Sequence, residues 1–238
     1  QLFEEALAYH RKNEGETSSL VGGTEDNLAM MLNLLGDRDG AKRHSEQAVA
    51  VAERLYTDPH PTKAMFYNSA GFIAAGRGDH RAAISYYEKS LATYAATTVP
   101  EHPDVAGGET SLAYWLTATG EFAEARRLLA DALAIRRKAL GDEHPRVGGT
   151  LATQANLFVA ERRYQAALEA ATESLRILRL NLPENHWQVA MAQNVQGAAL
   201  AGLRRYAEAE KLGLPNMEED VQGFRLSIPR WPAFPDAV

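Results

Sequence analysis

Apolar residues recur along this chain at three- and four-residue steps, the spacing that predicts amphipathic helices. The pattern is clearest between positions 122 and 140. One face there carries Phe122, Ala125, Leu128, Leu129, Ala132, Leu133 and Ile135. No stretch alternates between apolar and polar residues for long enough to predict a strand. The sequence therefore predicts an all-α protein.

The helical pattern repeats with a period of 42 residues. His–Pro dipeptides begin at His60, His102 and His144, and one period later His186 is followed by Trp187. Proline is favoured in the first helical turn, where its missing N–H group costs no hydrogen bond and its φ angle is already helical. Each dipeptide is therefore predicted to start a helix and to link two repeat units.

Small residues and turn residues follow the same 42-residue frame. One column of small residues lies within the first helix of each unit: Ala29, Gly71, Ala113, Ala155 and Gly197. A second column lies early in the second helix: Ala41, Ala83, Ala125, Ala167 and Ala209. The breaks between the two helices fall at Gly36, Gly78 and Gly120, with Arg162 and Arg204 in the later units. Because one helix pair cannot bury its own apolar face, the pairs are predicted to stack on one another.

The frame divides the chain into an array over residues 1–211 and a tail over residues 212–238. The array opens with a partial unit, 1–17, and its further units start near 18, 60, 102, 144 and 186. The tail alternates prolines with Trp231 and Phe234. It is predicted to be extended, to cap the last helices, or to lie in a groove. Because the first residue is Gln1 and not methionine, the chain is expected to be a piece of a longer protein or a processed product.

This pattern resembles the tetratricopeptide repeat (TPR), in the 42-residue form seen in kinesin light chains and many bacterial proteins. The resemblance rests on the small residue Ala113, the turn Gly120–Ala125 and the link Leu140–Pro145. It implies a right-handed superhelical solenoid of antiparallel helix pairs. It also implies that the first helices line a concave groove, which in this family commonly receives a peptide segment.

Three columns on the first helices are predicted to face that groove, since residues i, i+4 and i+7 share one helix face. The predicted peptide-binding residues are Asp26, Met30, Asn33, Asn68, Phe72, Thr110, Tyr114, Thr117, Asn156 and Asn194. Asparagine and threonine offer donors and acceptors to a peptide backbone. Met30, Phe72 and Tyr114 offer apolar contact to an anchor side chain. Packing between neighbouring first helices is an alternative role for Phe72 and Tyr114.

Glycine occupies one early position of the first helix in three units, at Gly23, Gly107 and Gly149, where Met65 and Met191 stand in the others. Glycine inside a helix costs about 1 kcal/mol relative to alanine. Close packing of a neighbouring helix is the preferred explanation, and close approach of a ligand is the alternative.

Composition narrows the class of partner. The 238 residues carry a net charge of −6, which argues against non-specific nucleic-acid binding. No apolar run is long enough to span a membrane. Cysteine is absent, which excludes disulfides and thiolate sites and agrees with a cytoplasmic location. The arginine clusters near 126, 136, 162 and 204 alternate with acids. They are interpreted as a solvated outer face, with an anionic partner as the alternative.

No catalytic, cofactor or metal site is predicted. The sequence has no Gly-rich phosphate loop, no Gly-x-Ser-x-Gly motif and no His-Glu-x-x-His motif. Four of the seven histidines lie one unit apart, so they cannot converge on one ion, and the others lack metal-ligand spacing. The predicted function is a protein-interaction scaffold without enzyme activity, of unknown oligomeric state. The alternative is a regulatory array of a larger signalling enzyme, such as a bacterial protein kinase or a signalling ATPase.

Overall fold

The computed structural model describes residues 2–99 and 101–212, so the predictions for the tail beyond residue 212 lie outside the described residues. The described residues form helices and no strand, as the sequence predicts. In chain order the helices are α1 (Leu2–Glu14), α2 (Ser19–Leu35), α3 (Arg38–Leu55), α4 (Pro61–Gly76), α5 (His80–Thr97), α6 (Pro103–Thr119), α7 (Phe122–Leu140), α8 (Pro145–Ala160), α9 (Tyr164–Asn181), α10 (Trp187–Gly202) and α11 (Tyr206–Glu210).

The described residues fall into two compact units, 2–99 and 101–212. In the first unit α1 precedes the pairs α2–α3 and α4–α5. In the second unit the pairs α6–α7 and α8–α9 precede α10 and the short α11. Within each unit the two helices of a pair contact each other, and successive first helices also contact each other. The single continuous array over residues 1–211 stays a prediction.

Every first helix begins at the same position of the 42-residue frame. His60, His102, His144 and His186 are the N-cap residues of α4, α6, α8 and α10. The Nδ1 atom of each ring accepts the backbone N–H two residues further on, at 3.1–3.3 Å. Ser18 caps α2 at the equivalent position through its hydroxyl oxygen. The predicted role of the His–Pro dipeptide as a helix start is therefore confirmed.

The turn inside each pair is also the same in every unit. It contains a residue with positive φ, between 60° and 91°, at Gly36, Gly78, Gly120, Arg162 and Arg204. The next residue donates its N–H to the carbonyl group five residues earlier, as Glu121 does to Leu116 at 2.8 Å. This hydrogen bond satisfies a carbonyl at the end of the first helix, and glycine adopts the required conformation without steric cost.

Small and hydroxyl side chains bring the two helices of a pair together. A Cβ atom added to Gly71 in α4 would lie 3.1 Å from the Tyr87 ring in α5. The buried Ser90 hydroxyl of α5 donates to the Ala64 carbonyl of α4 at 2.8 Å. Ser174 of α9 makes the equivalent bond to Gly148 of α8 at 2.7 Å. The small-residue column therefore allows the close approach that the sequence predicts.

Where a second helix packs against the next first helix, the same two positions of the 42-residue frame meet. The residue types at these two positions differ from junction to junction. These positions hold Ala52 and Phe66, Arg136 and Thr150, and Leu178 and Ala192. The first and last pairs each lie within one buried apolar cluster. Arg136 is only 9% exposed, and its guanidinium donates to the Thr150 hydroxyl at 2.5 Å and to the Arg146 carbonyl at 2.9 Å. In these three junctions, the residue on the second helix is therefore complementary to the residue that it meets on the next first helix.

Candidate peptide-binding groove

In the first unit the predicted groove residues lie on α2 and α4. Met30 and Phe72 are half-buried and pack against a buried cluster that contains Ile73. This contact supports a packing role for Phe72, the alternative considered from the sequence. Asn33 is half-buried, with its Oδ1 atom 3.5 Å from the place of a Cβ atom on Gly76. Asn68 is exposed.

Asp26 is the predicted groove residue with the most unusual environment. It is 8% exposed, and the Ser69 hydroxyl of α4 donates to its Oδ2 atom at 3.2 Å. Its Oδ1 atom is buried and has no hydrogen-bond partner among the described residues. Burial raises the pKa of this carboxyl group to about 7, while the hydrogen bond from Ser69 acts in the opposite direction. The neutral form of Asp26 is therefore favoured far more than in an exposed carboxyl group.

Glu25, the residue before Asp26, is buried in a different way. It is 1% exposed, and both of its oxygen atoms are paired. Arg11 of α1 donates to Oε1 at 2.7 Å, and Nδ1 of His44 in α3 lies 2.6 Å from Oε2. These contacts join α2 to both of its neighbouring second helices. Glu25 is therefore a structural residue that holds the first unit together.

In the second unit, threonine hydroxyls in the predicted groove columns bond to their own helix. Thr110 donates to the Ala106 carbonyl at 2.7 Å, and Thr117 donates to the Ala113 carbonyl at 2.8 Å. Thr110 is half-buried, whereas Thr117 is only 3% exposed. A ligand therefore meets a hydroxyl that is already hydrogen-bonded at the first position and a covered side chain at the second.

The remaining predicted residues of the second unit stay partly accessible. Tyr114 is half-buried, and its ring meets the Trp115 ring edge to face, with centroids 5.0 Å apart. Asn156 on α8 and Asn194 on α10 are also half-buried. One repeat earlier, the frame position of Asn194 holds Ala152 on α8. Ala152 is completely buried in an apolar cluster that includes residues of α10. A following first helix therefore covers this column at Asp26 and Ala152, whereas Thr110 stays half-buried.

Glu109 on α6 occupies the frame position of Glu25, and sequence reasoning missed both residues. It is 9% exposed, and its Oε2 atom is buried without a hydrogen-bond partner among the described residues. Burial and the nearby charge of Asp131 raise its pKa to about 7, against the opposite effect of Arg127 and Arg136. The sequence did contain a signal for burial at this position, because other repeats have tyrosine or leucine there.

Comparison with known proteins agrees with this geometry. Two family profiles, both described as tetratricopeptide repeat, match residues 20–96 and 110–146. A solved structure of a proposed kinesin light chain from Podosopora anserina with nearly identical TPR-like repeats is 25% identical, with a TM-score of 0.65 over 79% of this chain and 90% of that one. BtubC (BKLC) from P. vanneervenii is 20% identical, with a TM-score of 0.69 over 88% of this chain and 83% of that one. No curated protein matches the sequence.

This chain is a tetratricopeptide-repeat protein of the kinesin-light-chain-like type. The TPR fold and the 42-residue repeat type predicted from its sequence are therefore confirmed. TPR domains are in general protein-interaction modules, and kinesin-light-chain-like repeat proteins are typically non-catalytic scaffolds. Which residues of this TPR protein contact a partner stays a prediction.

The structure corrects the explanation given above for the glycines early in the TPR first helices. Among residues 2–99 and 101–212, a Cβ atom added to Gly23 would have no neighbouring atom within 4 Å, and at Gly107 and Gly149 it would meet only ordinary contacts. Close packing of a neighbouring helix is therefore wrong as the reason for these glycines. The tightly packed ones lie one residue earlier, at Gly22 and Gly148, where an added Cβ atom would lie 3.0 Å from Phe66 and 2.9 Å from the Leu178 side chain.

Replacing Gly23 with alanine should therefore raise the free energy of unfolding by about 1 kcal/mol, because alanine favours the helix and finds free space there. Urea denaturation followed by circular dichroism measures this gain. Gly22→Ala is the matched control and should be destabilising, since its Cβ atom has no room. Equal effects at both positions would contradict the packing difference.

The histidine caps of the TPR units give a pH-dependent prediction. Burial, together with the positive charges of Arg146 and Arg136, lowers the pKa of His144 below its usual value. The folded state thus favours the neutral ring, whose Nδ1 atom can accept the cap hydrogen bond. The stability from this preference is complete above the unfolded-state pKa of about 6.5 and is lost as the pH falls below it.

His144→Ala should lower the free energy of unfolding at pH 7.5 by about 1 kcal/mol, the usual value of an N-cap. His144→Asn should restore most of this loss, since asparagine also caps helices, and should remove the acid-dependent part that His144 contributes. Denaturation curves of the three proteins at pH 7.5 and pH 5.5 test both points. An asparagine variant as unstable as the alanine variant would exclude a capping role.

The arginines on the second helices form ion pairs. Arg127 pairs with Glu124 at 2.6 Å and with Asp131 at 2.8 Å, and Glu161 receives both Arg126 and Arg163. Both partners of the Arg127 pairs are about half exposed, and such pairs contribute little to stability. The Glu161 side chain, in contrast, is only 7% exposed. The pairing of Arg126 and Arg127 supports the interpretation of their cluster as a solvated face. For Arg136 that interpretation is wrong, because its side chain is buried and bonds to α8.

Residues 2–99 and 101–212 contain neither a metal-binding cluster nor a membrane-spanning helix. No group of three or more histidine, aspartate or glutamate side chains there has a geometry suited to holding a metal ion. Within the same ranges, no helix is long and apolar enough to cross a membrane.

Proposed function

We propose that this TPR protein is an interaction scaffold that binds an extended segment of a partner protein along its first helices. The observation that carries the proposal is the polar character of the first-helix face. Asn68 is exposed, Asn156 and Asn194 are partly exposed, and one carboxylate oxygen of Asp26 has no hydrogen-bond partner in the part of the chain that the structure describes. Amide side chains of this kind can donate to and accept from a peptide backbone.

Other features of the first helices agree with this proposal. Met30 and Tyr114 remain partly accessible beside the polar positions, so each can offer an apolar surface to an anchor side chain. The ion-paired arginines, by contrast, lie on second helices or in turns. The proposal includes a cytoplasmic location, which the cysteine-free composition supports. A regulatory array of a signalling enzyme would use the same face, so the experiment below applies to both.

Affinity capture with the purified chain, followed by mass spectrometry of the bound proteins, identifies partners. The variant Asn68→Ala/Asn194→Ala is then compared with the unmodified chain by isothermal titration with one captured partner. We expect the affinity to fall at least tenfold and the melting temperature to change by less than about 2 °C, because neither side chain is buried.

The matched control is Asn13→Ala/Asn185→Ala, two exposed asparagines outside the first helices. This control should keep the partner affinity. If the groove variant keeps its affinity, or if it loses affinity and stability together, the assignment of the groove face fails.

A further inference from the structure

The pair Gly23 and Asp26 forms the most specific chemical feature of the first-helix face. These residues are three positions apart on α2, so they share one side of the helix. Side chains of a helix lean towards its N-terminus, and the Asp26 carboxyl therefore lies over the turn that contains Gly23. Among the described residues, no atom outside the neighbouring backbone of α2 lies within 4 Å of the place where a Gly23 Cβ atom would stand. At the equivalent position of α4, Met65 stands before Asn68.

Two basic side chains of the neighbouring helices are engaged by Glu25 and not by Asp26. Arg11 of α1 and His44 of α3 are both bound to Glu25. The contact to Asp26 from α4 is the neutral hydroxyl of Ser69. Asp26 is thus 92% buried, has one oxygen atom without a hydrogen-bond donor, and forms no ion pair with any described residue. A buried carboxylate in this state is stabilised by a cation that brings its own donors.

We propose that the open space beside Gly23 and the Asp26 carboxylate form a receptor for a cationic side chain, the guanidinium of an arginine or the ammonium of a lysine in a bound protein segment. The free Oδ1 atom is itself covered, so the Asp26 side chain has to turn towards the space beside Gly23 for a cation to reach the carboxylate. A guanidinium group suits this position well, because it donates several hydrogen bonds in one plane. The proposal deepens the proposed function, on which it rests, by naming the chemistry of one anchor.

The surroundings of the receptor also suit a long basic side chain. Met30 lies one turn beyond Asp26 on the same face and is half-buried. Its thioether offers contact to the methylene groups of an arginine or lysine. An anionic ligand group would be repelled by the charge of Asp26, so the site selects against acidic segments.

Ionisation of Asp26 should be linked to binding. Since burial raises the pKa of the free carboxyl group to about 7, only about a tenth of the molecules are ionised at pH 6 and about nine-tenths at pH 8. A cationic ligand that requires the ionised form should bind about tenfold more tightly at pH 8 than at pH 6. Binding at pH 7 should release about half a proton per site.

The test uses two blocked tripeptides, acetyl-Gly-Arg-Gly-amide and its citrulline analogue, which has nearly the same shape and no charge. Side-chain ¹³C NMR follows the Asp26 carboxyl group of the full chain during titration with each peptide at pH 6 and pH 8. We expect the arginine peptide to shift the Asp26 signal, to lower its pKa, and to bind about tenfold more tightly at pH 8. The citrulline peptide should bind at least tenfold more weakly, with no dependence on pH.

Three variants complete the test. Asp26→Asn keeps the shape and should remove the difference between the two peptides. Gly23→Leu fills the open space and should abolish arginine binding while the Asp26 carboxyl still titrates. Asp142→Asn, which changes an exposed aspartate of the second unit, should leave both properties intact.

Equal affinity for the two peptides, or no shift of the Asp26 signal at millimolar arginine peptide, would overturn the cation receptor. Neither result would affect the groove, which the captured partner and the Asn68/Asn194 variant test separately. The arginine peptide could also bind at Asp26 while the Asn68/Asn194 variant keeps its affinity for the partner. That result would support the cation receptor and contradict the proposed groove function.

Discussion

Asp26→Asn should raise the free energy of unfolding at pH 8 by up to about 4 kcal/mol. The folded state holds the Asp26 proton up to a pKa of about 7, whereas the unfolded chain releases it near the ordinary value of 3.8. Each unit of difference corresponds to about 1.4 kcal/mol, and water that reaches the site will reduce the total. Asparagine keeps the shape and the hydrogen bond with Ser69 but cannot ionise.

The sign of this effect depends on pH. A raised carboxyl pKa favours folding below the unfolded pKa, and that advantage is lost as the pH rises through the folded pKa. The variant and the unmodified chain should therefore be about equally stable near pH 4, and the variant should gain between pH 4 and pH 8. Urea denaturation across this range measures the difference. Asp142→Asn, the exposed control, should show no such trend.

An unmodified chain as stable as the asparagine variant at pH 8 would mean that the folded protein already satisfies the Asp26 charge. A clear gain, on the other hand, would show that the chain retains an aspartate that reduces its own stability. Residues that oppose stability in this way are enriched at functional sites. Stability alone thus provides evidence about the first-helix face that is independent of any ligand.

Arg11→Met is the second change with a large expected effect. It should lower the free energy of unfolding by about 3 kcal/mol, because Glu25 would remain buried with only one of its two partners. Thermal and urea denaturation of the full chain measure the loss. Hydrogen exchange should locate it in α1 and α2, the helices that this ion pair joins.

The double variant Arg11→Met/Glu25→Leu provides the control. Leucine already occupies the Glu25 frame position at Leu151, where it is 5% exposed. Removing both charges should recover most of the lost stability, since an apolar pair often replaces a buried ion pair without loss. If the free energy of unfolding of the single Arg11 variant were within about 0.5 kcal/mol of that of the unmodified chain, His44 alone would be sufficient to stabilise the buried Glu25 carboxylate.

The sequence predicted the helices well because their ends are set by local chemistry. The His–Pro dipeptide acts within three residues, through a ring nitrogen that caps the backbone of its own helix. Gly120 likewise closes a helix through a left-handed φ angle that few other residues adopt easily. Periodicity then identified which positions are small and which are large. None of these features depends on distant parts of the chain.

The groove was harder to predict, because exposure depends on what packs against each helix. Asn68 and Ala152 hold the same frame position, yet one is exposed and the other is fully buried. Residue spacing along one helix identifies which side chains share a face of that helix. It does not show which of them the next first helix will bury. The role of Gly23 was misjudged for the same reason, since its neighbours in space cannot be counted from sequence.

The junctions between helix pairs have a consequence for folding. In a tandem repeat with nearly identical helix ends, the main hazard is a register slip, in which a helix docks one unit out of place. If α7 docked on α10 in place of α8, the Arg136 guanidinium would face Ala192 and would lose the hydroxyl and carbonyl acceptors that it finds at Thr150 and Arg146. Such a trap carries an unpaired buried charge, so it should reopen quickly. The second unit can therefore begin folding at either pair and still reach a single order of helices.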